Sequence, residues 1–559
     1  LRMIHWDPAA KTALSDEEVI YKETRSQLYH VRYSVEGHPD GIVIATTRPE
    51  TILADTAIAV HPDDPRYRDL VGRHATVPVV DRRIPIIADE YVDREFGTGC
   101  LKITPAHDPN DYEIGLRHGL PVIGMLHADG TVDSPIDGLG GLDRFDARNE
   151  MVRRLEDLGQ LVRTEEIENA VGFSERTDVP IEPRLSLQWF CRMDELAAPA
   201  LKSVQDGDIR FHPAKFTGTY VHWMENIRDW CISRQLWWGH RIPAWYYGDG
   251  DEDYVIARDA QEAARMAAER LGRPVDEDEL RQDEDVLDTW FSSWLWPISV
   301  FDGFKEPSGK EISYYYPTHT LVTAPEILFF WVARMIMAGH AFRGEIPFRD
   351  VYYHGIVRDS KRRKMSKSLG NSPDPLDLIR TYGADGTRVG MLFSSPAGND
   401  LLFDEALCEQ GRNFANKIWN AFRFLVLNRE MAAEQGEEES GSASPTAGPS
   451  TPNLADDWFA TRLSRATAEM DRQLAEFRLN DALKTLYSLI WDDFCDWYIE
   501  LIKPGVPGQP IPAERLDRAF GLFGELMKLA HPFMPFLSEE IWHRIAPRTP
   551  AQALTVSLW

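Results

Sequence analysis

Thr320-Leu321-Val322-Thr323-Ala324 is a short apolar run that reads as a β-strand, and it opens the stretch on which the fold turns. Glu326–His340 follows, with Leu328, Val332, Met335 and Ile336 three and four residues apart, the spacing of one helical face. Val351–Val357 is a second apolar run of strand length. Strand, helix and strand within about 40 residues make a βαβ unit, and such a unit implies a parallel sheet. Parallel sheets bind ligands beyond the carboxyl ends of their strands, so chemistry is expected in the loop after Val357. That loop carries Lys364-Met365-Ser366-Lys367-Ser368-Leu369-Gly370-Asn371. Lysine is a compact point charge suited to phosphate oxygens, which makes Lys364, Ser366 and Lys367 candidates for stabilising a pyrophosphate leaving group. The bland alternative is a solvated charge run.

Around this stretch lie 559 residues with a formal net charge of −28, 43% hydrophobic and 27% charged. That mix is ordinary for globular proteins and excludes a collagenous or wholly disordered chain. An acidic total argues only weakly against nucleic acid, because binding follows local patches. One such patch is Lys361, Arg362, Arg363, Lys364 and Lys367. The cysteines at 100, 191, 231, 408 and 495 include no C-x-x-C pair, so no protein-bound zinc is expected and a reducing, cytoplasmic setting is. The longest apolar run, Ile327–Gly339, is interrupted by Arg334 and falls short of the ~20 residues a membrane span needs. Residues 1–15 show no signal peptide, and the opening Leu1 suggests a piece of a longer or processed polypeptide.

Upstream, Tyr29, Val31, Tyr33 and Val35 alternate, and Ile42–Ile44, Val77–Val80, Ile84–Ala88 and Leu101–Ile103 continue as short strands. Helices are expected over roughly Asp108–His118 and Asp146–Leu158. Residues 25–170 thus read as a β-rich domain, with 1–24 as the entry to it and 171–403 as the parallel-sheet domain. Downstream, 404–559 is helical. Phe414, Ile418, Phe422 and Leu425 share one face; Leu483, Leu486, Tyr487, Ile490, Trp491, Phe494, Trp497, Tyr498 and Leu501 form another. Residues 434–453, rich in Glu, Ser, Gly, Pro and Thr, read as a flexible insert.

The β-rich domain holds a second constellation. Ala45-Thr46-Thr47-Arg48-Pro49-Glu50-Thr51 is followed by Leu101-Lys102-Ile103-Thr104-Pro105-Ala106-His107-Asp108-Pro109-Asn110-Asp111-Tyr112. Asp108 and Asp111, three apart, share the first turn of a helix, where a capping role is the plain reading. His107-Asp108 as metal ligands lacks a third ligand at a suitable spacing.

Lys364–Ser368 is the KMSKS signature, and with Asp229–Trp245, Ile181–Phe190, Asp288–Ser293, Asn413–Asn420 and Phe494–Lys503 the chain resembles the class I aminoacyl-tRNA synthetases, in their valyl branch. The resemblance implies an α/β multidomain enzyme. Its parts would be a β-rich editing domain, the second half of a class I Rossmann-like catalytic domain and an α-helical anticodon-binding bundle. It implies valine, ATP with Mg²⁺ and tRNA(Val) as partners, a monomer, and no membrane. Lys367, His354, Gly355 and Glu326 would face ATP; Glu326 stands in Ala324-Pro325-Glu326, where relatives often carry Gly-x-Asp. Trp290 and Ile327 would line the amino-acid pocket. Thr46, Arg48, Lys102, Asp108 and Asp111 would form an editing site, with Asp111 holding the α-amino group. The family's His-x-Gly-His signature does not occur in these 559 residues. The expectation is therefore a large internal piece unable to synthesise alone. The alternatives are a stand-alone aminoacyl-tRNA deacylase and a non-catalytic tRNA-binding module.

Overall fold

The computed structural model describes residues 1–366, 369–395, 399–439, 454–504 and 509–558, with 435–439 in backbone only. They fall into two compact units. The first comprises 1–201, 224–314 and 329–345; the second comprises 202–223, 315–328 and 346–559.

The first unit is built on a seven-stranded sheet. Its order is His38–Thr46, Val19–Val35, His74–Thr76, Arg83–Ala88, Ala57–Val60, Cys100–Ile103, with Leu161–Ser174 also paired to Val19–Val35. The alternation from Tyr29 produces the expected pattern: Val31, Tyr33, Ile42 and Ile44 are all buried. They pack with Ile52, Ile58, Val60, Ile84, Ile86 and Met151. The strand Val19–Val35 is much longer than its apolar part, because antiparallel pairing with Leu161–Ser174 carries it through polar residues. Val77–Val80, expected as a strand, is a turn. Pro78 has no N–H for a ladder, and Val79 and Asp81 take φ of 69° and 51°. Helices run Pro109–His118 and Arg144–Asp157. Arg2–Asp7 pairs antiparallel with Glu182–Ser186, so residues assigned to the entry share a sheet with residues from beyond 170.

Among the described residues, Arg234 and Arg334 are the fully buried arginines of this unit. Arg234 donates to Glu18 Oε2 at 2.7 Å and Asp288 Oδ2 at 2.6 Å. Arg334 lies 3.6 Å over the Trp230 ring and donates to Glu17 at 3.1 Å.

In the second unit, Thr318–Thr323 and Arg210–His212 flank Phe348–Tyr353, all three parallel, with Val351 opposite both Leu321 and Phe211. The inferred parallel sheet is present. The helix expected between its strands is a 3₁₀ turn at Pro325–Ile327, a π turn at Leu328–Val332 and an α-helix at Ala333–Arg343, and from Phe329 to Glu345 this segment belongs to the first unit. Beyond it lie long helices, Glu405–Glu439, Leu454–Ala475, Leu479–Ser488, Ala513–Ala530 and Pro535–Ile545. Phe414, Ile418, Phe422, Leu425, Leu483, Phe494 and Phe523 form their common core. The first of these helices continues to Glu439, six residues into the stretch read as an insert; 440–453 lie outside the described residues. The apolar stripe from Leu483 is π-wound over Leu489–Tyr498, which turns Trp497 and Leu501 outward, 61% and 52% exposed.

Candidate functional site

Two strand ends, a 3₁₀ turn and one helix start converge in the first unit. Thr46 closes the strand His38–Thr46, and Arg48 leads into the 3₁₀ turn Pro49–Ala54. Lys102 lies on Cys100–Ile103, which pairs antiparallel with Ala57–Val60. Asp108 caps the helix Pro109–His118: its carboxylate accepts from Asn110 N at 2.8 Å and Asp111 N at 3.1 Å. Thr46, Arg48, Lys102, Asp108 and Asp111 all line one cavity of about 330 Å³, with Thr47, Thr104 and His107. A space of that size holds an amino acid and part of a ribose.

The electrostatics divide the lining residues by task. The Arg48 guanidinium is fully engaged: it donates to Glu182 Oε2 at 2.5 Å, Glu50 Oε1 at 3.3 Å and the His107 carbonyl at 3.2 Å. Burial pulls its pKa down, but Glu182 and Glu50 outweigh that and hold it above its ordinary value. Glu182 also accepts from Arg144 at 2.9 Å and Glu50 accepts two bonds from Arg148 at 2.8 Å. Arg48 is therefore a clamp on the cavity wall rather than a free donor.

Lys102 and Asp111 face a different environment. The Lys102 ammonium donates to Asp55 Oδ1 at 3.2 Å and to the Thr104 hydroxyl. Asp111 Oδ2 accepts from Thr104 N at 2.8 Å. Burial raises the Asp111 pKa to about 7, with Lys102 pulling it down and Asp108 pushing it up. A buried carboxylate beside an ammonium, in a space of this size, suits a ligand that carries its own positive charge.

Thr104 is a lining residue that the sequence reading does not name as a candidate, and His107 enters that reading only as half of a metal-ligand pair. Thr104 lies two residues past Lys102 in an extended segment, hence on the same side of it, which was the available signal. His107 Nε2 accepts from Met125 N at 3.0 Å, which places the ring proton on Nδ1. Burial, then Arg48 and Lys102, lower its pKa to about 3, so the ring is neutral. Its lone pair being used in this way, His107 does not offer a metal ligand.

The signature loop belongs to the second unit. Lys364 Nζ donates to Glu326 Oε2 at 2.8 Å, so a residue expected at the pyrophosphate leaving group meets one expected to face ATP. Asn371 ties the loop together: its amide donates to Asp359 Oδ2 at 3.0 Å and to the Lys364 carbonyl at 3.3 Å, and its Oδ1 accepts from Ser366 N at 3.0 Å. The Asn371 amide, then Arg363, hold the Asp359 carboxyl well below the usual range. Lys367 lies outside the described residues. His354 is exposed, its Nδ1 3.0 Å from the Gly355 carbonyl. Gly355 is required by space: a Cβ there would sit 1.8 Å from the Asn399 carbonyl oxygen. Trp290, in the first unit, packs on Phe330 with ring centroids 5.4 Å apart. Ile327 is half-buried in the second unit.

Residues 1–404 match the sequence model of "tRNA synthetases class I (I, L, M and V)", and 456–557 match "Anticodon-binding domain of tRNA ligase". The whole chain is 53% identical to a valine–tRNA ligase of Parabacteroides distasonis, covering 62% of that protein. It is 55% identical to one of Christiangramia forsetii and 54% identical to one of Porphyromonas gingivalis, again with 100% of this chain and 62% of the relative covered. The chain thus spans less than two thirds of the length of these curated relatives.

Proposed function

From the premise that this chain belongs to the class I tRNA synthetases, we propose that it serves the ATP-dependent attachment of valine to tRNA(Val) and carries a hydrolytic site that clears threonine from that tRNA. In the synthetic reaction the valine carboxylate attacks the α-phosphorus of ATP and pyrophosphate leaves. Lys364, Ser366 and Lys367 are the residues proposed to stabilise the charge that builds on that leaving group, and Glu326, His354 and Gly355 are the proposed ATP contacts. Trp290 and Ile327 are each proposed to contact the valine side chain. Mg²⁺ enters with the phosphates of ATP; among the described residues no group of three or more His, Cys, Asp or Glu is arranged to hold a metal ion. The helical region, matched as an anticodon-binding domain, is read as a tRNA contact. No helix among the described residues is long and apolar enough to cross a membrane.

The observation that carries the hydrolytic half is the cavity that gathers Thr46, Arg48, Lys102, Asp108 and Asp111. Threonine and valine are nearly isosteric. A hydrophobic pocket rejects the added hydroxyl only about 10²-fold, a figure known for this family rather than worked from this structure. A second, polar site supplies the remaining discrimination. In it Asp111 holds the α-ammonium, Lys102 faces the ester oxygens, and a water attacks the carbonyl carbon. The acyl–oxygen bond breaks, the ribose oxygen takes a proton, and threonine and free tRNA leave.

The test is charging of tRNA(Val) by the full-length protein and its Lys102→Met variant. The parent should accumulate Val-tRNA(Val) only, and the variant should also accumulate Thr-tRNA(Val). No charging with valine would refute the synthetic reading. A variant that stays free of threonine would refute the hydrolytic one.

A further inference from the structure

Glu18 is the last residue before the strand Val19–Val35 leaves for the seven-stranded sheet. Its carbonyl accepts from Glu175 N at 3.0 Å, just after the partner strand Leu161–Ser174 returns. Both crossings of the chain thus meet at one residue, and that residue is buried. Its carboxylate is shared among several donors. Oε2 accepts from Ser15 N at 2.9 Å and from Arg234 Nη2 at 2.7 Å. Oε1 accepts from Arg176 Nη2 at 2.9 Å and Nε at 3.2 Å. Burial raises the Glu18 pKa, but Arg234, the Ser15 N–H and Arg176 outweigh it and hold the carboxyl below its ordinary value, so it is ionised near neutral pH.

Arg234 carries the contact onward. Its Nη1 donates to the Cys231 and Ser233 carbonyls, both at 2.8 Å, which fixes the plane of the guanidinium. Its Nη2 donates to Glu18 and, at 2.6 Å, to Asp288 Oδ2. A guanidinium this deep is held by its carboxylates, and removing either leaves a buried charge short of a partner. Asp288 Oδ2 also accepts from Trp230 Nε1 at 3.1 Å, and the Arg334 guanidinium lies over the same Trp230 ring at 3.6 Å. The other oxygen, Asp288 Oδ1, caps the short helix Thr289–Ser293 by accepting from Trp290 N at 2.9 Å. A cap satisfies a backbone donor that the helix itself leaves free. Where Asp288 points therefore decides where this helix starts, and with it the direction in which Trp290 leaves the chain toward the Phe330 ring. All of these residues lie in the first unit.

We propose that Glu18 is a positioning residue for Trp290, acting through Arg234 and Asp288, and so a determinant of which amino acid the synthetic site accepts. The inference rests on reading Trp290 as a contact of the valine side chain. Glu18 acts at two removes from that contact. Its loss therefore weakens sorting by side chain and leaves the handling of ATP as it was.

The experiment follows amino-acid-dependent ATP–pyrophosphate exchange by the full-length protein and its Glu18→Gln, Arg176→Met and Trp290→Ala variants. Each is assayed with valine and with α-aminobutyrate, which lacks one methyl group of valine. A difference of that size is worth about 10- to 200-fold in kcat/KM where a pocket fits the larger side chain. Glu18→Gln keeps the shape but not the charge, and should cut that preference about threefold or more by raising KM for valine, since Trp290 is loosened rather than removed. KM for ATP should hold. Arg176→Met frees only one side of the carboxylate and should give a smaller loss in the same direction. A fall in kcat alike for both amino acids, with the preference intact, marks a merely structural role and overturns the inference. Glu18→Gln at the parent's preference, while Trp290→Ala has lost it, overturns this inference alone. Trp290→Ala at the parent's preference overturns the reading of Trp290 and the inference with it. If Glu18→Gln does not fold, Arg176→Met decides: a reduced preference at constant KM for ATP supports the proposal, and an unchanged one overturns it.

Discussion

Replacing Asp111 with Asn should change both the rate and the pH dependence of threonine release. The Asp111 carboxyl is buried, and burial lifts its pKa from 3.8 to about 7. In the free protein the ionised form, the one able to hold an ammonium, is half-populated near neutrality. kcat/KM for release should therefore rise with pH and level off above about 8. Asn keeps the shape and the Thr104 contact but cannot ionise. Losing a charge-assisted hydrogen bond costs on the order of 1.5–3 kcal/mol, or about 10- to 150-fold in kcat/KM on the plateau. The acidic limb should vanish with it. The same group makes a stability prediction. A carboxyl whose folded pKa is raised stabilises the fold fully below its unfolded pKa, and that contribution is lost as pH rises through the folded value. The window runs from about 4 to about 7. Over it the parent should lose up to roughly 4 kcal/mol that Asp111→Asn retains. Urea unfolding at pH 5 and pH 8, beside initial rates of threonine release, measures both. An Asn variant that keeps the acidic limb, or plateaus at the parent's kcat/KM, would refute the assignment of Asp111.

Lys367→Ala in the full-length protein should lower the rate of valyl-adenylate formation about 10²- to 10³-fold with little change in KM for ATP, because charge builds on pyrophosphate only as the bond breaks; a raised KM at unchanged rate contradicts this. Gly355→Ala should destabilise by about 1–3 kcal/mol, since its Cβ would meet the Asn399 carbonyl at 1.8 Å and part the parallel pair Val357–Arg358 and Leu401–Leu402; an unchanged Tm argues against it. Glu182→Ala strips both Arg48 and Arg144 of a partner and should cost about 3–5 kcal/mol, the range for breaking a buried pair from one side, read as a lower urea midpoint.

Much of the fold was legible where burial imposes a period. The alternation from Tyr29 and the helical spacing from Leu328 and Phe414 each mark a face that must leave water, and each lies in an element of the expected kind. Where pairing rather than burial holds an element, no period shows. Residues 19–28 are strand because Leu161–Ser174 lies beside them, not because one face is apolar. The turn at Val77–Val80 misled because Val is a strand former and only Pro78 argued otherwise. At the cavity, Thr46, Arg48, Lys102, Asp108 and Asp111 were named by the family resemblance of two short motifs, whose spacing alone suggested only a turn and a helix cap. Their partners were not, because the fold alone chooses them: Glu182 lies 134 residues from Arg48, and Asp55 lies 47 from Lys102. Trp290 and Ile327 were paired by resemblance and fall in different compact units.

The central claim is that the cavity around Lys102 and Asp111 hydrolyses a mischarged ester, and the most direct measurement of it needs no ATP. Pre-formed Thr-tRNA(Val) and Val-tRNA(Val) are mixed separately with the 559-residue chain, its fold confirmed by circular dichroism, and release of each amino acid is followed with time. Threonine should be released well above the buffer rate and valine should not, with Asp111→Ala slowing threonine release by about 10- to 150-fold, the cost of losing the same charge-assisted hydrogen bond. Threonine released no faster than in buffer by the folded chain, or as fast by Asp111→Ala as by the parent, would contradict the account.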